Sequence, residues 1–188
     1  MRASLTIAVC AVLAGLAAVA VTAARDKPAL PPVAQLPRIE KAQPRLFLPK
    51  GDVRSVLNVG RRMAFGDFVW NDKGVPDGPI TVRVDRARQL ISVLRAGHEI
   101  GTAVILFGAD EKPTPPGRFP VLAKMREHRS SLYDADMPFT LRLTGDGISI
   151  HGVDVREGAA THGCIGVPNA FAEQLFDRIA VGDPVEIS

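Results

Sequence analysis

The chain has 188 residues, of which 46% are apolar and 23% charged, and 23 Lys and Arg against 20 Asp and Glu give a formal net charge of +3. This composition excludes a wholly disordered chain, and two cysteines are too few for a disulfide-stapled miniprotein. Because charges of both signs are interleaved along the chain without a long cationic run, the sequence predicts no nucleic-acid partner.

The first 24 residues have the pattern of an export signal. A short cationic start is followed by an apolar run from Leu5 to Val21, and small residues at 22–24 come just before the first charged cluster. We therefore predict a signal peptide over residues 1–24. An uncleaved N-terminal anchor is the alternative, because the run is long enough to span a bilayer. In either case we expect the rest of the chain to be exported, with membrane contact only through this segment.

Residues 25–50 contain six prolines among scattered charges and show no apolar period. This pattern predicts a semi-rigid spacer, with a proline-rich ligand for a partner module as the alternative. Residues 51–78 fit either a short helix or an irregular packed segment. Loss of the signal, which contains Cys10, leaves Cys164 as the only cysteine of the exported part.

From Pro79 onward, short apolar runs separated by turn residues, several with a period of two, indicate β-strands. The predicted strands are 80–84, 90–94, 99–100 with 103–107, 118–122, 139–143, 147–151 and 185–187. After Pro168, apolar residues at helical spacing from Phe171 to Ile179 predict one helix. Because strands and helices do not alternate, we predict that residues 79–188 form a mostly β domain with one helix, either a β-sandwich or a partly open barrel.

The candidate catalytic residues are concentrated in two short motifs, His151-Gly152 and Thr161-His162-Gly163-Cys164. A thiol becomes a nucleophile when a base or a nearby cation favours the thiolate, and two histidines are available here. Gly163 permits a sharp turn that can direct backbone N–H groups at an oxyanion. A buried structural cysteine is the simpler alternative. A zinc site of His151, His162 and Cys164 is another, although it lacks a fourth ligand. His98 and His128 are interpreted as solvated or hydrogen-bonded residues.

Four blocks of this region resemble, in order, the L,D-transpeptidase (YkuD-type) catalytic domain family of bacterial cell-wall enzymes: Gln89 to Val93, Thr114 to Phe119, Met137 to Gly152, and Thr161 to Cys164. The resemblance covers residues 79–188. It implies that Cys164 is the acylated nucleophile and that His151 accepts and donates its proton. It also implies that the backbone around His162, Gly163 and Cys164 forms the oxyanion hole, with Thr161 shaping the site. No metal or organic cofactor is implied.

The function that the resemblance implies is ping-pong acyl transfer on peptidoglycan stem peptides in the periplasm or cell envelope. A Cys164 thioester would be resolved by an amine, which cross-links two diamino acid residues. The alternatives are an L,D-carboxypeptidase or lipoprotein-detaching hydrolase with the same nucleophile, and a non-catalytic peptidoglycan-binding module. The sequence departs from the family pattern at Gly166, where many members have Arg or Asn, and at Pro116, where many have Thr.

Overall fold

A computed structural model describes residues 53–109, 112–130 and 133–188. The predicted signal peptide or anchor over 1–24 and the predicted spacer over 25–50 lie outside these residues. The described residues form ten strands and one helix: β1 Phe68–Trp70, β2 Ile80–Asp85, β3 Leu90–Arg95, β4 His98–Val104, β5 Gly117–Pro120, β6 Ala123–Met125, β7 Thr140–Arg142, β8 Ser149–Val153, β9 Ile165–Pro168, α1 Asn169–Arg178 and β10 Pro184–Ile187. Among them no helix is both long and apolar enough to cross a bilayer.

The strands form two sheets. The six-stranded sheet has the order β1-β4-β3-β2-β10-β5, and the four-stranded sheet has the order β6-β7-β8-β9. The β2/β10 and β8/β9 pairs are parallel, and the other neighbouring pairs are antiparallel. Both sheets are open and neither closes into a barrel. The predicted mostly β fold with one helix is confirmed.

Alternating apolar residues form the buried face of β2 and β3, the central strands of the larger sheet. In the β2/β3 pair, Val82 lies opposite Val93 and Val84 opposite Ile91, and all four side chains are buried. Residues at every second position share one face of a strand, so this register gives the core a continuous apolar surface. The predicted segments 99–100 and 103–107 are joined at their near ends in one strand, β4, which runs from residue 98 to 104, and residues 105–107 lie beyond that strand.

Gly101 of β4 leaves space for the aromatic side chain of Trp70 in β1. A Cβ atom at Gly101 would come within 2.4 Å of the Trp70 ring, so the close approach of the ring requires glycine. The Trp70 ring also meets the Phe171 ring edge-on, with 5.4 Å between centroids. These contacts connect the edge of the larger sheet to the helix.

The helix α1 covers the core through one apolar face. Phe171, Ala172, Leu175 and Phe176 are buried on it, as the helical spacing predicted. Pro168 is the last residue of β9 and occupies the N-cap position of the helix, so helical geometry begins at Asn169, directly after the strand. Since β9 leads directly into α1, packing of the helix also holds the strand that follows Cys164.

A buried carboxyl attaches the segment before β1 to the larger sheet. The Glu99 carboxyl accepts hydrogen bonds from the Ser92 hydroxyl at 2.6 Å and from the Leu57 backbone N–H at 3.0 Å. Burial raises the pKa of Glu99 above its ordinary value, and the two hydrogen bonds oppose this shift. The folded protein therefore retains the Glu99 proton to higher pH than the unfolded chain does.

Glu99 should make stability decrease with rising pH. From the ordinary glutamate pKa of about 4.3 up to the raised folded value, the folded state binds more protons than the unfolded state, so the free energy of unfolding falls as pH increases. Glu99→Gln should remove this part of the slope, measured by urea unfolding between about pH 4 and pH 7. The exposed Glu127→Gln is the control, and a slope unchanged in Glu99→Gln would contradict the assignment.

Candidate active site

Parallel pairing of β8 and β9 brings the two sequence-predicted groups to one face of the smaller sheet. His151 lies opposite Gly166, and Cys164 comes two residues before Gly166, immediately ahead of β9. Side chains two residues apart share a face, and neighbouring strands are about 4.8 Å apart. We infer from this register that Cys164 and His151 occupy the same face of the β8/β9 pair at diagonal positions, and the backbone N–H of Ser149, two residues before His151, is within hydrogen-bonding reach of the sulfur.

The Cys164 sulfur lies against the turn between β7 and β8. Its S–H group donates to the Gly147 carbonyl at 3.7 Å, and the side chain forms no disulfide. Burial raises the pKa of the Cys164 thiol, the backbone N–H of Ser149 and the charge of Lys112 oppose the rise, and the charge of Asp146 adds to it. The resting group at neutral pH is accordingly a thiol rather than a thiolate.

His151 is 8% exposed, and its ring is oriented by its own strand. Nδ1 lies 3.0 Å from the Gly152 carbonyl oxygen. Since a carbonyl only accepts, Nδ1 carries the proton and Nε2 of the neutral ring has an available lone pair. Burial lowers the pKa of His151, the Gly152 hydrogen bond opposes this, and the charge of His128 lowers the pKa further. In the described part of the chain no hydrogen bond links this ring to the sulfur.

Gly152 has no side chain because two other segments occupy that space. A Cβ atom there would be 2.4 Å from the Asn169 side-chain oxygen and 3.2 Å from Cγ of Pro138. The Gly152 N–H also donates to the Pro138 carbonyl at 2.8 Å. The glycine after His151 therefore lets the helix start and the 137–139 segment pack directly against β8.

The loop before Cys164 turns at Gly163, as predicted. Gly163 has a φ of +98°, and a Cβ atom there would be 2.8 Å from Cδ1 of Ile148. Thr161 donates its hydroxyl hydrogen to the Cys164 carbonyl. Within the described residues, neither the Gly163 N–H nor the Cys164 N–H donates to a protein acceptor. Two backbone donors beside the sulfur are thus available.

A residue whose role the sequence did not reveal, Thr114, braces this loop. Its buried hydroxyl accepts from the Gly108 N–H at 2.8 Å and donates to the Gly163 carbonyl at 2.9 Å. Gly108 itself must be small, because a Cβ atom there would be 2.7 Å from Cα of Gly163. The sequence motif that contains Thr114 pointed to this position, but it does not indicate that the hydroxyl binds Gly108 and Gly163.

The ring of His162 contacts different residues from the ring of His151. Its ring stacks on Tyr133 with 4.2 Å between centroids and 16° between planes. Tyr133, which no sequence motif indicated, is 44% exposed.

His128 was interpreted as a solvated or hydrogen-bonded residue, and in the structure its charge also lowers the pKa of His151. Among the described residues, no three His, Cys, Asp or Glu side chains converge as metal ligands, and this includes His151, His162 and Cys164.

Comparison with known proteins shows which families and structures this chain is similar to. The sequence model of the YkuD family, the L,D-transpeptidase catalytic domain, matches residues 79–187. L,D-transpeptidase 1 of Mycobacterium tuberculosis is 28% identical, with 51% of this chain and 45% of the relative covered. The chain thus spans about half the length of that curated relative.

Solved structures show the same likeness. An L,D-transpeptidase from M. tuberculosis H37Rv has a TM-score of 0.54 at 25% identity, over 58% of this chain and 57% of that chain. L,D-transpeptidase 3 of M. tuberculosis, solved with a faropenem-derived adduct, has a TM-score of 0.54 at 23% identity, over 58% of this chain and 60% of that chain. The latter likeness is one of fold.

Thr114→Val should destabilise the protein more than Thr114→Ser. Valine has a similar shape but leaves the buried Gly108 N–H and Gly163 carbonyl without a partner, each worth about 1–3 kcal/mol. Serine keeps the hydroxyl. Urea unfolding of the two variants checks this expectation, and equal free energies of unfolding would contradict the proposed brace.

Proposed function

The chain belongs to the YkuD family of L,D-transpeptidase catalytic domains, and on that premise we propose that it transfers acyl groups of peptidoglycan stem peptides through a thioester on Cys164. The observation that carries this proposal is the position of a thiol and a neutral imidazole on one face of the β8/β9 pair. Two backbone N–H groups beside the sulfur support it further.

In the first half-reaction, Cys164 attacks the carbonyl of the diamino acid that precedes the terminal D-alanine. The neutral His151 takes the thiol proton as the S–C bond forms, which overcomes the raised thiol pKa at the moment of attack. The C–N bond then breaks, and His151 returns the proton to the departing D-alanine amine. A thioester remains on Cys164, and no electrons are gained or lost.

In the second half-reaction, an amine of another stem attacks the thioester carbonyl. His151 accepts a proton from the amine as the new C–N bond forms, and the S–C bond breaks to give back the Cys164 thiol. Water in place of the amine gives a carboxypeptidase with the same groups. Because both acceptors use the same proton path, product analysis distinguishes the transpeptidase from the hydrolase.

The negative charge that forms on the attacked oxygen requires donors already in place. We assign this role to the N–H groups of Gly163 and Cys164, whose direction is set by the left-handed Gly163 and by the bonds from Thr114 and Thr161. His162 contributes through its main chain and through its stack on Tyr133. The proposed substrate belongs to the cell wall, so we also propose that the chain acts in the periplasm or cell envelope after export by residues 1–24.

Cys164→Ala should abolish release of D-alanine from tetrapeptide stems while leaving the fold intact, because the sulfur is the nucleophile and its loss removes little packing. Faropenem should add mass to the wild-type protein and not to this variant, since opening of the β-lactam ring by a thiol is an addition. Intact-mass spectrometry and an assay for D-alanine check both expectations. Residual turnover above a few per cent in the variant would overturn the role of Cys164.

The two histidines should respond differently to substitution. His151→Gln should lower turnover by about 10²-fold or more, in the usual range for loss of a general base. His162→Gln should have a smaller effect, because its ring makes a stacking contact and its proposed role is in the main chain. Steady-state rates for both variants, with circular dichroism to confirm folding, test this order. A larger loss in His162→Gln would reverse the two roles.

A further inference from the structure

Lys112 crosses the loop that precedes the nucleophile. Its Cγ atom is 3.6 Å from the point where a Cβ atom of Gly163 would lie, so its side chain runs over the Gly163 backbone. Its Nζ atom is 5.8 Å from the centroid of Tyr133, the ring on which His162 stacks. The ammonium group therefore lies beside the Tyr133 ring at the rim of the proposed site, and its charge acts on Cys164.

Lys112 differs in its ion pairs from the cations of a neighbouring segment. In the described part of the chain it forms no salt bridge, whereas Arg126 and Arg129, on the segment that leads to Tyr133, pair with Asp177 and with Asp134 and Asp136, respectively. The charge of Lys112 lowers the pKa of both Cys164 and the exposed Asp146, while the Asp146 carboxylate acts on Cys164 in the opposite sense and raises its pKa. A cation that is not held in a salt bridge by the described residues and lies beside a nucleophile favours an anionic ligand.

The β9 strand cannot supply that cation. Gly166, which lies opposite His151, has no side chain, and a Cβ atom there would be 2.6 Å from Cγ1 of Val153 and 3.4 Å from Cβ of Leu106. His151 is neutral at neutral pH because burial lowers its pKa. Lys112 is thus the cation whose charge is felt at Cys164.

We propose that Lys112 determines donor specificity by binding a carboxylate of the donor peptide next to the carbonyl that Cys164 attacks. This inference rests on the proposed function and names the substrate class: peptides with a free carboxylate within a few bonds of the scissile amide. A tetrapeptide stem offers the carboxylate of the leaving D-alanine. Where its diamino acid is dicarboxylic, the stem also offers a side-chain carboxylate.

The first test needs no peptidoglycan and uses the full chain. Alkylation of Cys164 is followed by mass spectrometry of its peptide, with anionic iodoacetate and neutral iodoacetamide as probes. Lys112→Gln should lower the ratio of the iodoacetate rate to the iodoacetamide rate by about fivefold, since an attraction between unit charges is lost. Lys73→Gln, which removes the same charge from an exposed position in the β1/β2 connection, should leave the ratio unchanged.

An unchanged ratio would overturn the inference. If both rates fall by the same factor, Lys112 only stabilises the thiolate and does not recognise an anion. If neither rate changes, its charge has no effect at Cys164. Because neither probe is a cell-wall peptide, this test still applies if the proposed function fails.

The second test identifies the carboxylate. Steady-state rates are measured on a tetrapeptide stem, on its C-terminal amide, and on a stem amidated at the diamino acid side chain. The wild type should have a higher KM for the amide of the recognised carboxylate. Lys112→Gln should raise KM for the free acid to that of this amide, with a smaller change in kcat. Equal KM values of the wild type for all three peptides would overturn the inference.

Discussion

The parallel pairing of β8 with β9 is the constraint on which the rest of the site depends. It places Gly166 opposite His151 and thereby brings Cys164 to the His151 face of the sheet. Parallel neighbours need a long connection, and here residues 154–164 supply it. On its other side β9 is bonded to Leu106, with N···O distances of 2.8 and 2.9 Å, so the segment that follows β4 also holds the strand in place. A shift of β9 by one residue would turn Cys164 to the opposite face.

Burial keeps the Cys164 thiol and the His151 imidazole uncharged at rest. The same loss of solvent that raises the pKa of the Cys164 thiol lowers the pKa of the His151 imidazole. In the proposed reaction, charge on these groups therefore develops mainly during attack, where preorganised N–H donors have their largest effect. Hydroxyl groups orient these donors, because Thr114 and Thr161 bind the carbonyls of Gly163 and Cys164. The proposed acyl transfer therefore starts from a neutral thiol and imidazole and not from an ion pair between them.

The spacing of apolar residues in the sequence predicted those strands and the helix that bury one face along their whole length. Alternation located β2 and β3, and helical spacing located α1, because each buries one face along its whole length. It missed β1, β6 and β9, which have only three or four residues each and owe their order to neighbouring strands. Likewise, the motif suggested Cys164 and His151, whereas the brace from Thr114 joins residues 49 positions apart. The stack of Tyr133 on His162 also depends on tertiary contact, which no short motif encodes.

The proposed role of Cys164 is to carry the acyl group between the two half-reactions. Intact-mass spectrometry of the full chain after brief mixing with a tetrapeptide stem tests this role directly. We expect an adduct with the mass of the stem minus its terminal D-alanine, located on the peptide that contains Cys164 and released by hydroxylamine as expected for a thioester. Turnover of the stem together with an adduct on another residue, or with an adduct that survives in Cys164→Ala, would show that Cys164 does not carry the acyl group.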